Sequence, residues 1–268
     1  MVLLRVETLP LFPRVRRALI ELLASLGTEE WKRPTVCPGW DVHDVAAHLL
    51  GVDLANVSGR RDAHWLGPRS GEHLGAWLAG FNDQWVEAAR RLSPRVLVDM
   101  IEPAGRQLDD YFAGLDPERV DAHVTWASKR PVPVWLDIAR EYTERWVHQQ
   151  QIRDATGRPG LTGEEFVAPV LTTFVHALPL AYAQTDASDG TTVQFAVTGP
   201  GGGCWHLTRN DAEWELAAGE HAHPAAEVTL DADDAWRLLT RSPTAADPRL
   251  SGDHDLAGVM LSAVAVIA

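Results

Sequence analysis

The sequence predicts a two-domain α+β protein: an antiparallel four-helix bundle followed by a smaller α+β module. Three observations carry this. Apolar residues recur at the helical period up to about residue 157, and beyond it they change to the alternation of strands. Gly157, Pro159 and Gly160 punctuate the change. Charge divides at the same place, because residues 1–154 hold 19 basic and 22 acidic side chains while residues 155–268 hold 5 and 15. We therefore expect a bundle over residues 1–157 and a second domain over 158–268.

In the first part, Leu11, Val15, Leu19, Leu22, Leu23 and Leu26 make one helical face before Gly27 stops it. Asp41 is placed to cap a second helix running through Val42, Val45, Ala46, Leu49, Leu50 and Val52. A third is expected over roughly 71–92, with Leu74, Trp77, Leu78, Phe81, Trp85 and Ala88 inward. Ser93 and Pro94 read as N-cap and first residue of a fourth helix, reaching Leu115. A loop with Pro117, Pro131 and Pro133 precedes a fifth helix, from about Val134 through Trp135, Ile138, Tyr142, Val147 and Ile152 to Gly157. Antiparallel packing of these helices buries their apolar faces.

The second part opens with a helix over about 164–182. A strand follows over Thr191 to Thr198, where β-branched residues alternate. Residues 205–208 and 213–217 flank Arg209, Asn210, Asp211 and Ala212 as a hairpin. Another strand is expected over Glu227 to Leu230, then a helix capped by Asp231 and a closing helix over 253–267. Gly199, Gly201, Gly202 and Gly203 lack the Lys-Ser/Thr that follows a phosphate-binding loop, so they read as a hairpin connection.

Composition narrows the function. An apolar fraction of 46% and a charged fraction of 23% exclude disorder and collagen. A net charge of −13 without a basic stripe lacks the counterion-release term of nucleic-acid binding, so no nucleic-acid partner is expected. The apolar stretch near the end, Gly258 to Ala268, falls short of the ~20 residues of a membrane helix, and Arg5 and Glu7 interrupt any signal-like start. A cytoplasmic protein without a membrane partner is expected. Two cysteines, Cys37 and Cys204, are too few for a disulfide scaffold and are read as reduced thiols. Eleven tryptophans suggest a well-packed core or a pocket with aromatic walls.

The most informative segment is Glu144-Arg145-Trp146-Val147-His148. Residues four apart stand on one helical face, so Glu144 and His148 can aim a carboxylate and an imidazole at one point, which suits a divalent metal. An exposed hydrogen-bonded pair is the simpler use of that spacing. His48 lies among Ala46, Ala47, Leu49 and Leu50, which places it toward the bundle interior, as a core histidine or as a third ligand. Two histidines and a carboxylate from facing helices would make a three-ligand site with open positions.

Two stretches carry a resemblance. Pro34-Thr35-Val36-Cys37-Pro38-Gly39-Trp40-Asp41 with the following residues to Leu49, and residues 144–155, resemble the two signatures of the mycothiol-dependent maleylpyruvate isomerase family. The resemblance spans nearly the whole chain. It implies a DinB-like metal-binding bundle, a sterol-carrier-like C-terminal domain, an actinobacterial setting and metal ligands at His48, Glu144 and His148. It also implies zinc and a mycothiol co-substrate, although the ligand types alone would suit Fe(II) as well. In the family's reference activity a thiolate adds to the double bond of maleylpyruvate, the resulting single bond rotates, and elimination gives fumarylpyruvate. A mycothiol S-transferase acting on a small electrophile is the nearest alternative, then a non-enzymatic metal- and lipid-binding protein, or hydrolysis by metal-activated water.

Other residues are weaker candidates. Cys37 could be a nucleophile or fourth ligand, but a small free cysteine more often packs. His221 and His223 fall in an exposed loop, and His43 is expected to meet solvent. Asp44 could orient His48, with helix capping its simpler role. Arg237, Arg241 and Arg249 could each pair a substrate carboxylate or merely a surface acid.

Overall fold

The computed structural model describes residues 3–68, 71, 73–211 and 213–265. The chain forms two compact units. One joins Leu9–Leu115 with Arg145–Gly160; the other joins Met1–Thr8, Asp116–Glu144 and Leu161–Ala268. The division runs through one helix instead of cutting the chain at a single position.

The helical unit contains α1 (Phe12–Ala24), α2 (Val42–Asn56), α3 (Leu74–Ala89), α4 (Pro94–Ala113) and the second half of α5 (Val134–Thr156). The N-terminus of α2 is closed by a capping box: Asp44 N–H donates to Asp41 Oδ1 at 3.0 Å and Asp41 N–H to Asp44 Oδ2 at 3.3 Å. Ser93 caps α4 as expected. The core joins Leu19, Leu22 and Leu23 of α1, Val45, Ala46, Leu49 and Leu50 of α2, Leu97 and Ile101 of α4, and Ile152 of α5. A bundle is what such apolar stripes can bury against one another.

Helix α3 departs from its expected orientation. Leu74 and Leu78 are exposed and so is Ala88, whereas Val86 and Ala89 are buried. The reason lies in the aromatic residues: Trp77 sits between Trp65 and Phe81, with ring centroids 5.1 and 5.0 Å apart, and Trp85 turns in to donate to Ala47 O at 2.7 Å. That hydrogen bond fixes which face meets α2. The start expected near residue 71 falls beside residues outside the described set, and α3 itself begins at Leu74.

In the other unit, the expected proline-rich loop carries a short antiparallel ribbon, β1 (Val120–Ala122) with β2 (Val132–Pro133). Val134 N–H donates to Arg119 O at 2.9 Å, so the ribbon leads directly into α5. The helix expected over 164–182 is broken into α6 (Glu164–Phe174), a 3₁₀ turn over Val175–Ala177 and α7 (Leu178–Ala181). Pro179 cannot donate to the Val175 carbonyl, which ends regular α-helix there. His176 in this turn is 1% exposed, with Nδ1–H donating to Thr173 O and Nε2 accepting from Leu4 N–H, each at 3.1 Å. Burial lowers its pKa to about 4, so the ring is neutral.

A five-stranded sheet completes this unit: β3 (Thr192–Thr198), β4 (Gly203–Asn210), β5 (Glu213–Ala218), β6 (Ala226–Asp231) and β7 (Arg249–Gly252), in the order β5-β4-β3-β6-β7. Only β3 and β6 pair in parallel. Val193, Phe195, Trp205, Leu207, Leu216 and Val228 form its apolar face, with Phe195 in register between Trp205 and Val228. Helices α8 (Ala232–Leu239) and α9 (His254–Leu261) pack on β3 and β6. Asp231 caps α8 and Asp253 caps α9. The β3–β4 turn requires glycine at Gly201, where φ is +74° and a Cβ would lie 2.6 Å from Val167 Cβ. The closing helix is shorter than expected, with Ile267 outside the described residues. Among the described residues, no helix is long and apolar enough to cross a membrane.

Candidate metal centre

Helix α5 is buried on nearly every side over residues 134–152, unlike an amphipathic surface helix. Its polar residues therefore need partners inside the protein. Glu144 and His148 lie one turn apart on it, and His48 lies in the middle of α2. One possible ligand atom from each of the three lies within 4.8 Å of the others. His48 and His148 are 4% and 7% exposed, with ring centroids 4.8 Å apart at 74°. Trp40 walls the site, its ring 5.0 Å from that of His48.

The residues fit a divalent ion. Two imidazoles and a carboxylate are donors that zinc accepts at about 2.0–2.2 Å, which puts two donors on one ion no more than about 4.4 Å apart. Small side-chain rotations would close the set. Geometry is supported from behind the ligands as well: His148 Nδ1 lies 2.7 Å from Gln151 Oε1, and Cys37 Sγ lies 3.1 Å from the same oxygen. One residue beyond Glu144, Arg145 pairs with Asp53 of α2 at 2.5 Å, joining the two helices beside the site.

One turn before Glu144, Arg140 donates to Asp137 at 2.9 Å and to Glu141 at 2.5 Å. Burial alone would lower the Arg140 pKa, but the carboxylates of Glu141, Asp137 and Glu144 outweigh it and hold the guanidinium charged. The lower half of α5 thus brings a fixed positive charge near the Glu144 carboxylate.

The other candidates lie elsewhere in their units. Cys37 is half-buried behind His148 and does not belong to the three-residue cluster. His43 does not face solvent as expected: it is half-buried, its Nε2 is 2.9 Å from Leu92 O, and its ring packs edge-on against Trp31. Asp44 spends its carboxylate on the capping box and on Arg90, at 3.0 and 2.8 Å. His221 is half-buried and donates its backbone N–H to Gln194 at 2.7 Å, while His223 is exposed. Arg237 pairs with Asp233 at 2.8 Å and lies over the Trp236 ring, and Arg241 and Arg249 are exposed. Cys204 lies on β4, where burial raises its thiol pKa, as do Glu220 and Glu227. Sequence reasoning assigned no role to Gln151 or Trp40, although both fall within the two signature stretches.

Comparison with known proteins bears on the family and the fold. The family model described as the mycothiol maleylpyruvate isomerase N-terminal domain matches residues 12–153, which include all three clustered residues. Among solved structures, that of the mycothiol-dependent maleylpyruvate isomerase shares 12% identity over 92% of this chain and 95% of its own, with a TM-score of 0.57. A histidine-to-alanine mutant of that enzyme gives the same identity and coverage with a TM-score of 0.56. At this identity the likeness is one of fold, and it extends across both the helical and the α+β parts. No curated protein matches the chain. The match over more than half of its length places the chain in the mycothiol maleylpyruvate isomerase N-terminal domain family.

Proposed function

We propose that this protein is a zinc- and mycothiol-dependent isomerase of the maleylpyruvate isomerase type. The observation that carries the reading is the convergence of His48, Glu144 and His148 within 4.8 Å, inside the region that matches the family model. When bound, a divalent ion supplies a lowered pKa for a thiol at an open coordination position and offsets negative charge that develops on the substrate. A free thiol, with a pKa of ~8.5, is mostly protonated at neutral pH, which is why such help is needed.

The chain's own residues would provide the rest. His48 and His148 would donate neutral nitrogen ligands and Glu144 an anionic one. Trp40 would exclude water from one side of the His48 ring. The buried Arg145–Asp53 pair would hold α2 and α5 at a fixed separation, so the ligands need little reorganisation. In the reaction, the thiolate forms a carbon–sulfur bond, the former double bond rotates, and elimination returns the thiol while restoring the double bond in its other geometry. No net oxidant or reductant is required.

A mycothiol S-transferase is the second reading, favoured by one observation: of the C-terminal arginines, Arg237 is already paired with Asp233, which leaves fewer cations for a dicarboxylate. The two separate in one experiment, with zinc-loaded protein and mycothiol offered either maleylpyruvate or a halogenated arene. Isomerisation followed by absorbance supports the first reading, and a stable thioether found by mass spectrometry supports the second. Activity that persists in full without any thiol would contradict both.

A further inference from the structure

We propose that Gln151 is the positioning residue of His148 and that the Cys37 thiol holds the Gln151 amide in the orientation this requires. The proposal rests on the metal-site reading above. Gln151 is 3% exposed, and its side-chain oxygen meets His148 Nδ1 at 2.7 Å and Cys37 Sγ at 3.1 Å. A carbonyl oxygen can only accept, so the ring nitrogen and the thiol each direct a hydrogen at it. A neutral imidazole carries one such hydrogen. With it on Nδ1, the lone pair falls on Nε2, the nitrogen able to act as ligand.

The alternative arrangement shows why the thiol matters. Turning the amide over would set its NH₂ group against Nδ1, which would then have to accept and would move the ring proton to Nε2. The ligand lone pair would be lost from that side. The same turn would take away the carbonyl acceptor that the Cys37 S–H uses and leave the sulfur only as a weak acceptor of the amide N–H. Cys37 therefore opposes the flip without touching the metal side of the ring.

The loop carrying Cys37 is itself fixed. Pro34 and Asp41 form an antiparallel bridge, Thr35 donates its hydroxyl to Trp40 O at 2.8 Å, and Cys37 N–H donates to Thr35 Oγ1 at 3.2 Å. Trp40 N–H closes the turn on Cys37 O at 3.1 Å. One short loop thus places both Trp40 against His48 and the thiol behind His148.

The test reads the His148 tautomer by ¹⁵N NMR in metal-free protein, at a pH where the ring is neutral, and zinc affinity by chelator competition. Wild type is expected to hold the Nδ1–H form. Gln151→Met is expected to lose that preference and to weaken zinc binding by about 10–100-fold, the usual effect of removing a group that orients a ligand. Gln151→Glu keeps an acceptor and is expected to restore both the tautomer and most of the affinity. Cys37→Ala is expected to raise the Nε2–H population, and an unchanged ratio there would overturn the thiol's part. A predominantly Nε2–H His148 in wild type, which needs no variant to fold, would overturn the whole proposal. So would an unaltered tautomer in folded Gln151→Met. A wild type that holds the Nδ1–H form but binds no zinc would support the positioning role while contradicting the metal reading, so the two fail separately.

Discussion

Asp53 of α2 accepts hydrogen bonds from Nε and a terminal nitrogen of Arg145 on α5, at 3.0 and 2.5 Å, with both side chains nearly buried. Removing one partner leaves the other charge buried and unmatched, whereas removing both removes the desolvation cost as well. We expect Asp53→Ala to destabilise the protein by about 3–5 kcal/mol, and the double variant Asp53→Leu with Arg145→Met to lose much less. Urea denaturation of the two variants checks this.

Asp44 separates a structural role from a supporting role at the metal. Its carboxylate serves the α2 capping box and Arg90. Asp44→Ala is expected to lower stability by about 1–3 kcal/mol, through loss of its half of the capping box and its charge-assisted hydrogen bonds to Arg90, while zinc affinity stays within about twofold. A loss of about 10–100-fold would mean that Asp44 orients His48 after all.

His176 makes stability depend on pH. Its pKa is about 4 in the folded protein, because burial disfavours the charged ring, against 6.5 for an unperturbed histidine. The unfolded chain therefore binds more protons between these values. The contribution of the buried neutral ring is fully present above pH 6.5 and is lost as pH falls toward 4, for a total of about 3 kcal/mol. Below that it levels off. Denaturation midpoints measured across this window should fall with acid in wild type and flatten in His176→Gln.

The clustering of the three candidate ligands was legible in the sequence, for identifiable reasons. The i,i+4 spacing of Glu144 and His148 survives any detail of packing, and His48 stands out because its neighbours Ala47 and Leu49 are buried apolar residues. Gln151 was not legible, since a glutamine three residues after a histidine is ordinary on a helix and only burial makes its hydrogen bond matter. The α3 face was misread because Trp77 packs on Trp65 from the preceding segment, a contact that α3's own sequence does not encode. Strand β7 was missed because Arg249-Leu250-Ser251-Gly252 has no apolar alternation; as an edge strand it is set by pairing to β6. The β1–β2 ribbon is likewise too short to carry a period.

The central claim is that His48, Glu144 and His148 hold one divalent metal, and zinc stoichiometry tests it most directly. Protein purified without added metal and then titrated with zinc should bind one ion per chain. Binding should be lost in His48→Ala and His148→Ala, and weakened at least tenfold in Glu144→Gln, where an anionic donor becomes a neutral one. Wild type that takes up no zinc, iron or nickel, or alanine variants that bind as tightly as wild type, would contradict the account.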